Sequence, residues 1–395
     1  MHDEVFSEAG STKPASFRLP ADNTTRVRVA LVGCVNAPLL YVPALAAHPL
    51  VDLAALVDRD RSAARAWSRP FGARIPIFET VGELLAEAPA VQGAVVASPL
   101  TERAAEAADL LSAGVNVLSE PPFAATLFEA EALLSAAEAG GAILMPAFAR
   151  RFEPGIAELE RRIAEGAMGA LRQVRCFWRF PCLGTPLEMA ADAYVLGWSA
   201  LWPALACQSA DLARWWLGEA LGVSADIEES EGDPRARRTE AFANLIVRHE
   251  RGHAIHQIAR IRSTLSEESY SVTGAEGEIE IGLSGPGISG DEPVWPLLRP
   301  YGRPTELLAP LEIPEVDPNP TRGAAAVARY RRLLGHFADC VAGRAEPQLK
   351  PEDLRAAIEI ACAAVLSSAD EAKVPIPLRG QADAGATILK SPPAS

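Results

Sequence analysis

The chain has 395 residues, more than one hydrophobic core usually organises, and so suits two domains. With 49% hydrophobic and 22% charged residues it has an ordinary globular composition, and its formal net charge of -14 argues against nucleic acid and anionic membrane as partners. A small-molecule ligand or another protein remains.

Residues 1–25 mix charges, prolines and small polar groups without an apolar run of the export type, and are expected to form a flexible tail. From residue 26 to 149, short apolar runs alternate with Ala-rich periodic segments. VRVALVG, VDLAALVD, VQGAVVAS, VNVLSE and AILMPAF predict buried strands. RSAARAWSRPFG and TERAAEAADLLSAG predict helices, the second ended by Gly114. This alternation predicts a Rossmann-like, doubly wound parallel sheet.

Dinucleotide-binding sheets of this kind run from the first strand into a GxGxxG turn, where backbone N–H groups meet a pyrophosphate. Here the turn reads Gly33, Cys34, Val35, Asn36, Ala37, Pro38, with one glycine in place. Val35 puts a branched side chain where the diphosphate would lie, and Pro38 either removes a donor or opens the helix at its first position. Asp58, ending VDLAALVD, stands where a carboxylate accepts from ribose hydroxyls, or caps the following helix; Arg59 beside it could take a 2′-phosphate. Asp58 favours NAD and Arg59 NADP, so the nicotinamide choice stays open. Further on, VLSEPPFAAT places Pro121 after Glu120, and a proline neither ionises nor donates.

Residues 150–380 change texture. After a helix over about 153–165, LRQVRCFWRF, AFANLIVRHE, GHAIHQIARIRS and YSVTGAEGEIEIGL predict a large, mostly antiparallel open sheet, with a turn at Glu250 to Gly252. The apolar stretch Ala193 to Cys207 is broken by Gly197 and Pro203 and is too short to span a bilayer. Asp211 heads LARWWLG, either as a base or as the N-terminal charge of a helix. Residues 282–321 are rich in Pro and Gly and predict a loop, AAAVARYRRLLGHFADCVAG and PEDLRAAIEIACAAVLSSAD predict helices that close the domain, and 381–395 a second flexible tail. His253 and His256 fall on opposite strand faces, which disfavours a shared metal, and no metal is assigned. Cys34, Cys176, Cys182, Cys207, Cys340 and Cys362 never approach CxxC spacing and are expected as buried thiols of a cytoplasmic protein.

Several segments in order resemble the Gfo/Idh/MocA family, the glucose-fructose oxidoreductase and inositol dehydrogenase group. They are the first strand and glycine turn, VDRD at Asp58, VVASP ending at Pro99, AGVNVLSEPP, ARRFEP around Arg151, DLARWWLG, VTGAEGEIEI and VPIPL, together spanning about Arg26 to Leu378. The resemblance implies NAD or NADP in the first domain, contacted by Gly33, Cys34, Val35, Asn36, Ala37, Asp58, Arg59, Ser98, Pro99, Arg103, Glu120 and Pro121. It implies a sugar, cyclitol or related polyol over the open sheet, near Arg150, Arg151, Gln208 and Asp211, and pairing of such sheets into dimers or tetramers.

It also implies Glu-Lys-Pro at the end of the fifth strand, where this chain has Glu120, Pro121, Pro122. A family histidine becomes Arg103; in the second domain an aspartate becomes Ala204, a glycine Ala206 and a histidine Gln208, while Asp211 remains. Oxidising an alcohol with a nicotinamide needs a base for the hydroxyl proton, worth about 10²- to 10⁴-fold in rate. Lysine cannot supply it, because none occurs between Pro14 and Leu349. Asp211 and Tyr194 are the residual candidates for proton transfer; Arg150 and Arg151 bind an anion or form salt bridges; Trp198, Trp202, Trp215 and Trp216 line a sugar site or anchor the core.

Coincident losses on both walls of one cleft favour a catalytically altered or non-catalytic protein, binding a small molecule, pairing with itself or serving an active paralogue. The alternative is an active NAD(P)-dependent oxidoreductase with a rebuilt site, and a third reading keeps the pocket for non-redox chemistry.

Overall fold

The computed structural model describes residues 26–34, 38–46, 48–68, 71, 75–87, 90–181, 198–229, 241–261, 267–284, 296–308, 324–379 and 386–388. Val35, Asn36, Ala37, Cys182 and Tyr194 lie outside the described residues.

The first unit alternates strand and helix: β1 (Val27–Val32), α1 (Pro38–Ala46), β2 (Val51–Val57), α2 (Arg61–Ser68), β3 (Ile77–Phe78), α3 (Val81–Glu87), β4 (Gly93–Val96), α4 (Leu100–Ser112), β5 (Asn116–Ser119), α5 (Leu127–Gly140) and β6 (Leu144–Pro146). Its six strands are parallel in the order β3-β2-β1-β4-β5-β6, which places the topological switch between β1 and β4. Burial on both faces explains why β1, β2, β4 and β5 read as unbroken apolar runs. α5 starts where Thr126 accepts from the Glu129 N–H at 3.1 Å while Glu129 Oε2 accepts from the Ala125 N–H at 2.7 Å, a reciprocal cap encoded by Thr-Leu-Phe-Glu.

A 3-10 turn at Ala149–Phe152 leads to α6 (Pro154–Ala164), β7 (Leu171–Pro181), α7 (Trp198–Leu217), β8 (Ala220–Glu229), β9 (Ala241–His249), β10 (Gly252–Ile261), β11 (Glu267–Gly274), β12 (Gly277–Ser284), β13 (Leu297–Pro300), β14 (Glu306–Leu307), α8 (Ala324–Val341), α9 (Pro351–Asp370) and β15 (Val374–Pro375). The second sheet has nine strands, β14-β13-β12-β11-β7-β10-β9-β8-β15, antiparallel except for the β7/β10 pair. β9 shows its logic: Ala243, Leu245 and Val247 point to the helices, Phe242 and Ile246 to the outside.

Three expectations need correction. The segment 282–321 is not all loop, because β13 and β14 add short edge strands to β12. α7 begins at Trp198, so Pro203 lies inside the helix and Asp211 in its later half, not at its start; the proline forfeits one backbone bond without ending the helix. Within the expected C-terminal tail, Thr387 bridges Thr126, the Ile388 N–H donates to the Ala125 carbonyl at 2.9 Å, and Ile388 is buried, since its apolar side chain gains by leaving water.

The closing helices also return to the first unit. α8 packs on α1 and β2, with Tyr330 edge-on to Tyr41 at 4.9 Å and Phe337 against Gly93, while α9 lies between α5 and α7. His48, after α1, donates from Nε2 to the Arg331 carbonyl at 3.0 Å and accepts from the Leu50 N–H at 3.1 Å. Among the described residues no helix is long and apolar enough to cross a membrane.

Gly33 has φ +88, and a Cβ there would sit 2.3 Å from the Ser98 backbone nitrogen. Gly33→Ala is expected to lower stability by about 3 kcal/mol through strain and overlap, read as a lower urea midpoint; an unchanged midpoint would refute that packing.

Candidate functional site

The C-terminal ends of β1 and β2 meet at one carboxylate. Asp58 Oδ2 accepts from the Cys34 N–H at 2.6 Å and Oδ1 from the Asp60 N–H at 2.8 Å. Capping of α2 falls to Asp60, whose Oδ1 accepts from the Ser62 and Ala63 N–H groups at 2.9 and 3.2 Å. Each Asp58 oxygen keeps a lone pair, and the residue is half-buried, so the pair fits two ribose hydroxyls. Arg59 is exposed and turned to Glu102 at 3.3 Å. The Cys34 thiol is buried, and burial pushes it up to about 12, so it packs as a neutral group.

Arg103 braces the loops after β4 and β5. Its Nε and Nη2 donate to the Ser98 carbonyl at 2.9 and 2.6 Å, and its Nη1 to the Glu120 and Pro122 carbonyls at 3.0 and 2.7 Å. Ser98 donates from Oγ to Glu106. The guanidinium thus shapes the segment that carries Pro121, itself buried.

Glu120 points into a cage of phenols. Tyr41 Oη donates to Glu120 Oε1, and Tyr330 also hydrogen-bonds the carboxyl. Burial pushes Glu120 up to about 7 against the opposing effect of Tyr41, Arg103, Tyr330 and Arg150. Three of the chain's five tyrosines, Tyr41, Tyr270 and Tyr330, are buried around this junction.

The 3-10 turn after β6 sends two consecutive arginines in different directions. Arg150 grips Glu268 on β11 with Nε and Nη2, the latter at 2.6 Å to Oε2, and lies over Trp178 at 5.0 Å. Tyr270 Oη donates to the same Glu268 at 2.7 Å. Arg151 grips Asp211 on α7 at 2.8 and 2.5 Å, lies over Trp215 at 4.8 Å and approaches Asp353 at 3.6 Å. Burial raises Asp211 to about 6 while Arg151 opposes the rise. Both guanidinium groups are therefore spent on internal carboxylates.

Gln208, one helical turn before Asp211, is buried; its Nε2 reaches the Ala147 carbonyl at 3.5 Å, and its Oε1 has no partner among the described residues. Trp202 and Trp216 are fully buried and anchor the core. His256 is held neutral by burial, which lowers it to about 3, and its Nδ1 lies 2.8 Å from Ser209 Oγ; His253 faces outward.

Sequence reasoning thus named Glu120, Arg150, Arg151, Gln208 and Asp211 but missed the groups that neutralise or hold them. Tyr41, Glu268, Tyr270 and Tyr330 fall on elements far apart in the chain; the scarcity of tyrosine was the one local signal. Chemically, the junction leaves a hydrogen-bond acceptor at Gln208 Oε1 without a partner among the described residues.

Residues 27–148 match an oxidoreductase family with an NAD-binding Rossmann fold, and residues 156–280 match the GFO/IDH/MocA C-terminal domain. The rhizopine catabolism protein MocA of Rhizobium meliloti is 33% identical over 153 residues, 39% of this chain and 47% of that protein. The chain spans about half the length of this relative. D-apiose dehydrogenase of Paraburkholderia graminis is 25% identical over 69% of this chain and 72% of its own. Among solved structures, the WlbA dehydrogenase from Bordetella pertussis, in complex with NADH and UDP-GlcNAcA, has a TM-score of 0.70 at 20% identity, covering 90% of this chain and 99% of that one, a likeness of fold.

Arg151→Met leaves Asp211 buried without its partner and is expected to cost about 3–5 kcal/mol, whereas the double variant with Asp211→Leu regains most of it. Urea unfolding of the four proteins checks this; additive losses would show that the pair is not coupled.

Proposed function

Since the chain belongs to the Gfo/Idh/MocA oxidoreductase family, we propose that it is a small-molecule-binding member whose cleft has been altered away from lysine- and histidine-assisted hydride transfer. One observation carries the reading. Pro121 and Gln208 occupy the positions from which the family resemblance would move a proton, and Asp211, the carboxylate left over, is closed by Arg151. An arginine clamped on both oxygens occupies the lone pairs that a ligand hydroxyl would need, so this carboxylate is not presented to a substrate.

NAD is part of the proposal. The single Gly33 turn and the half-buried Asp58 with lone pairs to spare suit the ribose end, and Arg59, turned to Glu102, favours NAD over NADP. When bound, such a cofactor supplies a hydride donor or acceptor. Gly33, Cys34 and Asp58 would hold it, and Arg103 would keep the Glu120–Pro122 segment in shape beside it.

The ligand class proposed is a sugar or cyclitol, as relatives named for D-apiose and myo-inositol dehydrogenation suggest. Self-association through the outer face of the large sheet belongs to the same reading, supported by exposed Phe242 and Ile246, with an active relative as the other partner. A cytoplasmic location agrees with the described cysteines, all unpaired and buried.

Titration with NAD, NADH, NADP and NADPH tests the reading. NAD or NADH at millimolar concentration is expected to raise the melting temperature, while a panel of polyols gives no turnover above background. Turnover of about 1 s⁻¹ or more on any polyol would overturn the altered-cleft reading; no shift with any dinucleotide would remove the cofactor from it.

A further inference from the structure

Residues 386–388 return to the first unit at the start of α5, where Thr387 pairs antiparallel with Thr126 and the Ile388 N–H donates to the Ala125 carbonyl at 2.9 Å. Ile388 is fully buried and belongs to the continuous core. Ala386 is held from the second unit. Its carbonyl accepts from Cys362 Sγ on α9 at 3.4 Å, and the Leu127 N–H is hydrogen-bonded to the same sulfur. Burial pushes this thiol up to about 12, so it stays a neutral donor. The approach to these residues is anchored too, because the Leu378 N–H donates to Glu359 on α9 at 2.8 Å. Three residues thus touch the first unit through α5 and the second through α9, along a seam that Arg355 of α9 also crosses to Glu131 of α5 at 3.1 Å.

The held segment is the loop after β5. Arg103 fixes its beginning at the Glu120 and Pro122 carbonyls. Residues 386–388 fix its end at Ala125 and Thr126, beside the reciprocal cap of Thr126 and Glu129. One pin comes from the loop's own unit and the other from the far end of the chain.

We propose that Ala386–Ile388 is an interdomain latch: seated, it holds the β5–α5 segment that carries Glu120 and Pro121 against α9, and its release lets that segment move while both sheets stay folded. This goes beyond the reading above, since it holds whether or not a dinucleotide binds.

The energetics suit a latch. Seating gains one buried aliphatic side chain and a few backbone bonds, and it costs the conformational freedom of the residues that become ordered. These opposing terms are similar in size, so the segment opens at a lower free energy than the sheets unfold. Its backbone and thiol contacts carry no charge, unlike the Arg150 and Arg151 pairs, so breaking them leaves no buried ion behind.

Native-state hydrogen exchange of the full chain tests the latch without any ligand. The N–H groups of Ala125, Glu129 and Ala130, bonded to Glu129 Oε2, Thr126 Oγ1 and the Thr126 carbonyl, report on the start of α5, and the amides of β1 and β4 report on the sheet. Ile388→Glu, which puts a charge at a buried position, is expected to speed exchange at the three reporters by roughly 10-fold or more while β1 and β4 change far less. Ile388→Ala, a milder change, should give the same pattern at smaller size, and Ile388→Val should stay within about twofold of the wild type.

Unchanged exchange at the three reporters in the Glu and Ala variants, or a rise shared equally by β1 and β4, overturns the proposal. The dinucleotide titration is read on the wild-type chain, so either result leaves it free to decide the wider reading.

Discussion

Charge buried at a junction must find charge, and that requirement fixes how the two units of this protein sit together. Arg150 and Arg151 leave one short turn and reach opposite elements, a strand of the large sheet and the long helix that covers it. Because neither guanidinium can be neutralised by losing a proton, each needs its carboxylate in place whenever the units are docked. Such pairs add little net stability against apolar packing, but they permit few alternative arrangements. The same chemistry that would grip an anionic ligand has been turned inward.

This inward turn gives the cleft its character. Asp211 and Glu268 are carboxylates in name but act as counterions, and the orientation of Gln208 is tied to the Ala147 carbonyl. The first sheet keeps the features a dinucleotide uses, a glycine turn pressed against Ser98 and an acid at the end of β2. Beside that scaffold stands a buried carboxyl, Glu120, with phenolic neighbours.

The sequence made the scaffold easy to read. Strands buried on both faces, such as β1 and β4, are continuous apolar runs, and β9 alternates in step with its two faces. Local signals failed where tertiary packing overrode them. Pro203 suggested an interruption, yet the helix continues because Trp202 and Ala206 are buried on either side of it. β13 and β14 were hidden by Pro and Gly because short edge strands take their register from a neighbour. The partners of the site residues were least legible of all. Arg151 lies 60 positions from Asp211 and Arg150 lies 118 from Glu268, separations that no periodicity connects.

The docking of α8 on α1 bears on how the chain is made. The parallel sheet leaves the ribosome first, but part of the layer that covers it, including Phe337 over Gly93 and Tyr330 over Tyr41, is encoded in residues 324–341. That part of the covering layer is made only after the large sheet has been translated. Cutting the gene between the two family-matched segments would likewise yield an N-terminal fragment missing a piece of its own interior.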